Sequence, residues 1–425
     1  MTSTTEKSQD QSQGPDQSLT RTEKLFIFFA MLCGMSIAGE YGIVRPASNA
    51  IFLTVFSAKA YPYVWLATVP LNLLVIYLYS RFLPKIGPLR MMGCMAISAI
   101  SISLICGLML SSYPKLIFFH YAWKDVYILL MFKQLWSMIH STITSSRAKY
   151  LYGWIFAMGT VGSIAGSLLP GFFAVEIGSE RLFFFTLPIY LVMIFAYAMA
   201  LKRSGVKDTS FQKDLSENPR ASDGLALIRR SPFLVSLMLL VVFMQVSVGL
   251  MEYLFNSHLE LHILDKDLRT EYCGRLIGLM NMISGVFQLF GGFVMIHTMG
   301  LKRSHFLIPF FLCMSGLLSW VMPSFALISF SFVFVKSVDF SLFGVLREML
   351  YIPLRLDEKY RAKAVIDVFA YRTSKALVSL CILGLQVFAG AALLSCISAL
   401  SVSVFIAWMG VVLLMFKKYA PVSIK

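Results

Sequence analysis

Residues 232–254 read PFLVSLMLLVVFMQVSVGLMEYL, and Glu252 is the one charge among them. A helix of about 20 apolar residues crosses the ~30 Å of bilayer hydrocarbon. Comparable runs recur at 25–44, 62–83, 89–111, 126–144, 150–175, 182–201, 275–298, 305–323, 325–347, 364–391 and 394–416. The pattern predicts an all-α polytopic membrane protein of about 12 transmembrane helices. The ~10-residue alternating segments of a β-barrel are absent.

Composition agrees. Hydrophobic residues make up 58% of the chain and charged residues 14%, against about 45–50% and ~25% in soluble domains. The net charge of +15 suggests nucleic acid at first sight. Its basic residues are spread through short loops between apolar runs, however, which is the positive-inside pattern of a membrane protein, so no nucleic-acid partner is expected. The seven cysteines are scattered without a C-x-x-C pair, so neither a metal site nor a disulfide framework is indicated. No nucleotide-hydrolysing P-loop, metalloprotease or nucleophile-elbow string occurs. The chain is expected to be no enzyme, to need no cofactor and to act as a monomer.

The polar stretch 202–231, with Lys202, Arg203, Lys207, Lys213, Arg220, Arg229 and Arg230, divides the runs six and six. The expected layout is a disordered cytoplasmic tail over 1–24, a six-helix half over 25–201, a cytoplasmic loop over 202–231, a second half over 232–416 and a cytoplasmic tail over 417–425. Most of the 37 Lys and Arg residues then fall on one side, the side of both termini. The first apolar run is too long for a signal-peptide core, and the tail, with no Arg before Arg21, is unlike a transit peptide. A faint repeat supports the division: Gly87-Pro88-Leu89-Arg90 follows the second run, and Gly300-Leu301-Lys302-Arg303 follows the eighth. Basic glycine turns at matching places suit a major-facilitator-like architecture. Gly159, Gly162 and Gly166 in the fifth run are expected to pack closely against another helix.

Charges inside the apolar runs are the candidate functional residues, because a charge at mid-bilayer costs ~2.5–3.5 kcal/mol on insertion scales. Arg45 sits beside Pro46, where a broken helix would line a pathway, and Glu40 is its expected partner. Lys133 either faces a cavity or pairs with an acid. Glu252, alone among Leu and Met, is a candidate proton carrier or gate. Lys336 and Asp339 share a helix face at i,i+3, where they either form a self-neutralising structural pair or serve the pathway. Arg347 and Glu348 mark a candidate inner gate. Arg372 and Lys375, again i,i+3, with Asp367 on the same face, form the best candidate anion site.

The stretch from Lys336 to Lys375 resembles the signature region of the bacterial and plastid ADP/ATP translocases. That family has a lysine, then Tyr-Ser-x-Phe-Asp, then Lys-Glu-Met-Ala-Tyr-Ile-Pro-Leu, and later Lys-Ala-Ala-Ile-Asp-Val-Val and Arg-x-Gly-Lys-Ser-Gly. Here stand Lys336, Phe340-Ser341-Leu342-Phe343-Gly344 and Arg347-Glu348-Met349-Leu350-Tyr351-Ile352-Pro353-Leu354, followed by Lys363-Ala364-Val365-Ile366-Asp367-Val368-Phe369 and Arg372-Thr373-Ser374-Lys375. Tyr41-Gly42-Ile43-Val44-Arg45, Leu135-Trp136, Ala148-Lys149 with Tyr152, and Leu250-Met251-Glu252 are similar to shorter family strings. The family's first-helix lysine falls on Ser48, its glutamate before Leu-Trp on Gln134, the aspartate of its Tyr-Ser-x-Phe-Asp string on Gly344, and its double glycine on Ala376-Leu377. The chain is thus identified as a divergent member.

The resemblance implies a nucleotide carrier working by alternating access, as an ADP/ATP-type exchanger or by proton-coupled uptake, in a bacterial inner membrane. Arg45, Lys336, Arg372 and Lys375 would bind substrate, with Glu252, Asp339, Arg347, Glu348 and Asp367 coupling or gating. The lost lysine at Ser48 keeps open a carrier of the same fold for another anion or a nucleoside-like compound. A membrane scaffold or receptor that no longer transports is the third reading.

Overall fold

The computed structural model describes residues 20–143, 145–204, 221–352, 354, 363, 365–366 and 370–419, with the backbone alone over 145–151 and 221–225. Helix α1 runs Arg21–Phe56. It is followed by α2 (Tyr61–Ile86), α3 (Pro88–Met109), α4 (Leu116–Thr142), α5 (Ser145–Ile177) and α6 (Thr186–Ser204). After the central segment come α7 (Ala221–Arg230), α8 (Pro232–His262), α9 (Lys266–Val286), α10 (Gly292–Val321), α11 (Phe325–Val338) and α12 (Gly344–Tyr351). Helices α13 (Tyr371–Phe388) and α14 (Leu393–Leu414) complete the described bundle. No strand occurs among the described residues.

Nine helical stretches among the described residues are long and apolar enough to cross a membrane. One of them, Lys266–Val321, is 56 residues long and turns sharply at Gly300, so it crosses twice. Helices α4 and α13 are also long enough, and both carry cations within the bundle. Twelve crossings result, six on each side of residues 205–220. Apolar side chains such as Leu191, Phe293, Val321 and Phe388 are exposed on the outside of the bundle, as a lipid-facing surface requires.

Local chemistry explains the helix ends. Thr20 and Glu23 form a capping box, the Thr20 hydroxyl accepting from the Glu23 N–H and the Glu23 carboxylate from the Thr20 N–H at 2.8 Å. Helix α1 therefore starts at Arg21, within the stretch expected to be tail. Gly87 (φ 78°, ψ 163°) and Gly300 (φ 75°, ψ 164°) take nearly the same left-handed turn, so the faint repeat is also a conformational one. The stretch expected as one polar loop contains the amphipathic helix α7, which packs on α8.

Helix α1 also passes unbroken through Pro46, contrary to the expected break. A proline inside a packed transmembrane helix removes one hydrogen bond but leaves neighbouring helices to hold the axis. Helix α8 continues to His262, which places Glu252 well inside it rather than at its end. Helix α4 begins ten residues ahead of its expected start at residue 126, which takes Lys124 and Asp125 out of the loop and into the bundle.

Helix α1 is the axis of the first half and packs on α4, α5 and α6. A Cβ on Gly162 would lie 2.1 Å from the Met35 carbonyl oxygen, and one on Gly166 2.0 Å from that of Gly39. Those two glycines let α1 and α5 touch backbone to backbone. Gly159 has open space at its Cα and takes no part.

The halves meet where α5 packs on α9 and α2 on α13. Toward the end of the bundle that holds Phe56 they are clasped by polar contacts. The Ala58 N–H donates to Glu260 at 2.7 Å, Lys266 pairs with Glu180 at 2.5 Å, and the Ser179 N–H donates to Asp267 at 2.8 Å. Arg269 donates to Thr54 at 3.0 Å and Arg275 to the Gly171 carbonyl at 2.7 Å.

Candidate functional site

Between α1, α2 and α4 of one half and α8, α11 and α13 of the other lies a cavity of two lobes, of about 460 and 380 Å³. Asp125, Leu129, Glu252, Lys336 and Lys375 line both lobes and so form their junction. The first lobe adds Trp65, Gln245, Arg372 and an apolar wall of Val69, Val248 and Val378. The second adds Tyr41, Arg45, Asn49, Lys124 and Asn256. Five cations and two carboxylates thus surround one space near the middle of the helices.

Asp125 is the hub. Its carboxylate accepts from Lys124 Nζ at 2.9 Å and the Tyr41 hydroxyl at 3.0 Å in its own half, and from Lys375 Nζ at 3.3 Å across the cavity. The Lys124 side chain is 3% exposed, and its ammonium also lies 3.8 Å from the Tyr121 ring centre. Burying an ammonium is tolerable because the aromatic face and the carboxylate replace water around it. Lys336 and Glu252 make a second buried pair at 2.8 Å between α11 and α8. Asn49 donates to Asn256 at 2.7 Å across the halves and accepts from the Tyr61 hydroxyl at 2.7 Å, closing the cavity toward the clasped end.

The structure brings Arg45, Lys336, Arg372, Lys375 and Glu252 together on this cavity. No described carboxylate lies within ion-pair distance of Arg45 or Arg372. Asp367 lies outside the described residues. Arg347 and Glu348 do not line the cavity: Glu348 lies 2.6 Å from Lys363, ahead of α13, and Arg347 donates at 3.4 Å to the hydroxyl of Tyr371, which lines the first lobe.

Several pairings differ from expectation. Lys336 pairs with Glu252 and Asp339 with Gln245 Nε2 at 2.9 Å, so the i,i+3 pair does not form. The helix is regular from Lys336 to Asp339, so the two do share a face, and each is taken instead by a partner on α8. With Lys336 beside it, Glu252 is not the isolated carboxylate that motivated a proton carrier. Glu40 accepts from the Tyr127 hydroxyl at 2.7 Å rather than from Arg45, whose guanidinium lies 5.9 Å from the Tyr41 ring centre. Lys133 rests over the Tyr79 ring, 5.8 Å from its centre.

The sites of two departures from the translocase strings face away from the cavity. Ser48 bonds to His120 Nδ1 at 3.0 Å, and Gln134 donates to the Pro88 carbonyl and to the Tyr197 hydroxyl.

Lys124, Asp125, Gln245, Asn49 and Asn256 were missed from sequence. The adjacent Lys124-Asp125 pair in Tyr121-Ala122-Trp123-Lys124-Asp125-Val126 was the available signal, since the apolar run continues on both sides of it without Gly or Pro, which argues against a loop there.

Removing one charge-assisted contact to a phosphate is expected to cost about 1.5–3 kcal/mol, roughly 10- to 150-fold in affinity. Arg372→Ala and Lys375→Ala should therefore weaken binding of phosphorylated compounds by that factor and of uncharged nucleosides far less. Equal losses for both classes, measured by competition against a labelled nucleotide, would remove these residues from an anion site.

Comparison with known proteins agrees with this geometry. Residues 326–419 match the TLC ATP/ADP transporter family, and residues 135–355 match the Major Facilitator Superfamily. The ADP,ATP carrier protein 1 of Chlamydia pneumoniae is 26% identical over 188 residues, 40% of this chain and 36% of that carrier. Its counterpart in Chlamydia trachomatis serovar D is 26% identical over 200 residues, 42% of this chain and 38% of that one. The match thus spans little more than a third of either carrier's length. Among solved structures, the nucleoside transporter NupG superposes with a TM-score of 0.67 at 10% identity, covering 92% of this chain and all of NupG. A bacterial homologue of the iron transporter ferroportin, in an inward-facing state, gives 0.62 at 11% identity, covering 92% of this chain and all of that structure. At such identities the likeness speaks for the fold alone.

Proposed function

Because the chain belongs to the Major Facilitator Superfamily, we propose that it carries nucleotides across a membrane, opening one central cavity to either side in turn. The observation that carries this reading is the cavity at the seam of the halves, with Arg45 and Lys124 on one wall and Lys336, Arg372 and Lys375 on the other. Arg offers a planar two-pronged contact to phosphate and Lys a point charge. Val69, Val248 and Val378 give the first lobe an apolar wall for a base. The translocase pattern over 326–419 supports the same substrate class.

Alternating access follows from the clasp. The contacts of Glu260, Lys266, Asp267 and Arg269 hold the halves together at the Phe56 end. To admit substrate from that side, these contacts must open while others form at the opposite end. In this reading the clasped end faces outward and both termini lie inside, in a bacterial inner membrane, and the positive-inside pattern supports that orientation. Cysteine at Ser216 should then resist an impermeant thiol reagent applied to intact cells, and ready labelling would invert or break the twelve-crossing topology.

Uptake of labelled nucleotides, phosphosugars and nucleosides by bacteria expressing the chain tests the substrate class. Nucleotide uptake above that of cells lacking it supports the reading. Uptake confined to nucleosides or phosphosugars would favour the same-fold alternative, in which Asp125 and Glu252 leave the cavity too little free positive charge for a polyphosphate.

A further inference from the structure

We propose that the Asp125 carboxylate occupies the place of a substrate phosphate, and that it serves as the shared counter-ion of Lys124 and Lys375 whenever the cavity is empty. The inference rests on the nucleotide-carrier reading and adds to it a binding position and a mode of transport. Three donors converge on this one carboxylate: Lys124 at 2.9 Å, the Tyr41 hydroxyl at 3.0 Å and Lys375 at 3.3 Å. Two ammonium groups and a hydroxyl around a set of oxygens are what a phosphate requires. The donors come from α4, α1 and α13, so the carboxylate bridges the two halves at the junction of the lobes, where an entering ligand meets it.

A phosphate monoester carries about −1.5 to −2 charge at pH 7, more than the single charge of Asp125, and it offers three oxygens where the carboxylate offers two. It also brings in Arg45, which lines the same lobe without a described carboxylate partner. The phosphate can thus take Lys375 and Lys124 from Asp125, and doing so breaks a mid-cavity link between the halves.

The consequence concerns the return of the unloaded carrier. A cavity lined with bare ammonium groups resists closing around nothing, because each cation would be desolvated without a partner. Such a carrier turns over only with substrate on both sides. Here Asp125 covers Lys124 and Lys375, and Glu252 covers Lys336. Two carboxylates offset two of the five positive charges, and each of the three ammonium groups keeps a carboxylate contact, so the empty form can return, which permits net uptake as well as exchange.

The test uses the purified full chain in liposomes, with labelled ATP, ADP and AMP outside and either buffer or the same unlabelled nucleotide inside. Wild-type protein should take up label into empty vesicles at a rate comparable with loaded ones. Asp125→Asn should lower the empty-to-loaded ratio about tenfold or more and tighten nucleotide binding, measured by calorimetry, by about the same factor. Buried Lys124 loses its counter-ion in that variant, a cost to folding, so the double variant Lys124→Gln/Asp125→Asn is made alongside it. That protein carries no buried lone cation at 124 yet leaves Lys375 uncovered, and its ratio should fall in the same way. Asp125→Glu should keep the wild-type ratio. An unchanged ratio in both Asn variants overturns the counter-ion role while leaving nucleotide carriage intact. Absence of wild-type uptake of all three nucleotides under either loading overturns the carrier reading itself, and this inference with it.

Discussion

Lys336→Met should abolish transport and destabilise the protein by about 3–5 kcal/mol, the usual cost of stranding one partner of a buried ion pair. Glu252 has its carboxylate 2.8 Å from Lys336, on helices that pack directly together. Methionine fills much of the lysine volume, so the loss reads the charge rather than a cavity. The double variant Lys336→Met/Glu252→Gln removes both charges and should regain most of the stability, because no ion is then left unsolvated. Transport should stay roughly 10- to 150-fold down, since Lys336 borders both lobes and a lost cation–phosphate contact costs about 1.5–3 kcal/mol. Thermal unfolding in detergent gives one axis of this double-mutant cycle and nucleotide uptake the other. Strictly additive destabilisation would mean that the two side chains do not interact. Recovery of transport by the double variant would make the pair purely structural.

Much of the fold was legible because lipid imposes a simple rule. Every crossing needs about 20 apolar residues with its backbone bonds made internally, and such runs stand out in any window. The rule failed where the protein departs from it for a purpose. Helix α4 holds Lys124 and Asp125, so its apolar run seemed to begin at Val126, while the helix starts at Leu116. Helix α8 goes on past Leu254 to His262, carrying Asn256 and Glu260, whose side chains bond to the other half and not to lipid. Residues 205–220 and Asp367, both named from sequence, lie outside the described part.

The site was legible in its members and opaque in its pairings. An ionisable residue inside a crossing is conspicuous, which is why Arg45, Lys336, Arg372, Lys375 and Glu252 could be named. Their partners could not be read, because Asp125 and Lys375 are 250 residues apart and Lys336 and Glu252 are 84 apart. Local spacing even misled: Lys336 and Asp339 share a helix face, yet Glu252 and Gln245 of α8 take them as partners. Helical periodicity says which residues share a face and not which neighbour on another helix reaches them.

Gly166→Val should cost the protein its fold. A Cβ at Gly166 would stand 2.0 Å from the Gly39 carbonyl oxygen and 2.7 Å from its carbonyl carbon, well inside van der Waals contact. The atoms it meets are backbone in the middle of α1, with no rotamer that would move them aside, so α1 and α5 must separate. Overpacking a core usually costs about 1–3 kcal/mol when side chains can yield, and here they cannot. The damage also reaches the site, because α1 carries Tyr41 and Arg45 into the cavity less than two turns from Gly39. Gly159→Ala is the control: it lies on the same helix with nothing within 4 Å of its added methyl. Replacing a helical glycine by alanine there should be neutral or stabilise by about 0.5–1 kcal/mol. Expression and thermal unfolding of the pair decide the matter. A Gly166→Val protein as stable as the Gly159→Ala one would show that α1 and α5 do not meet through these glycines, and that the axis on which Tyr41 and Arg45 are mounted lies elsewhere.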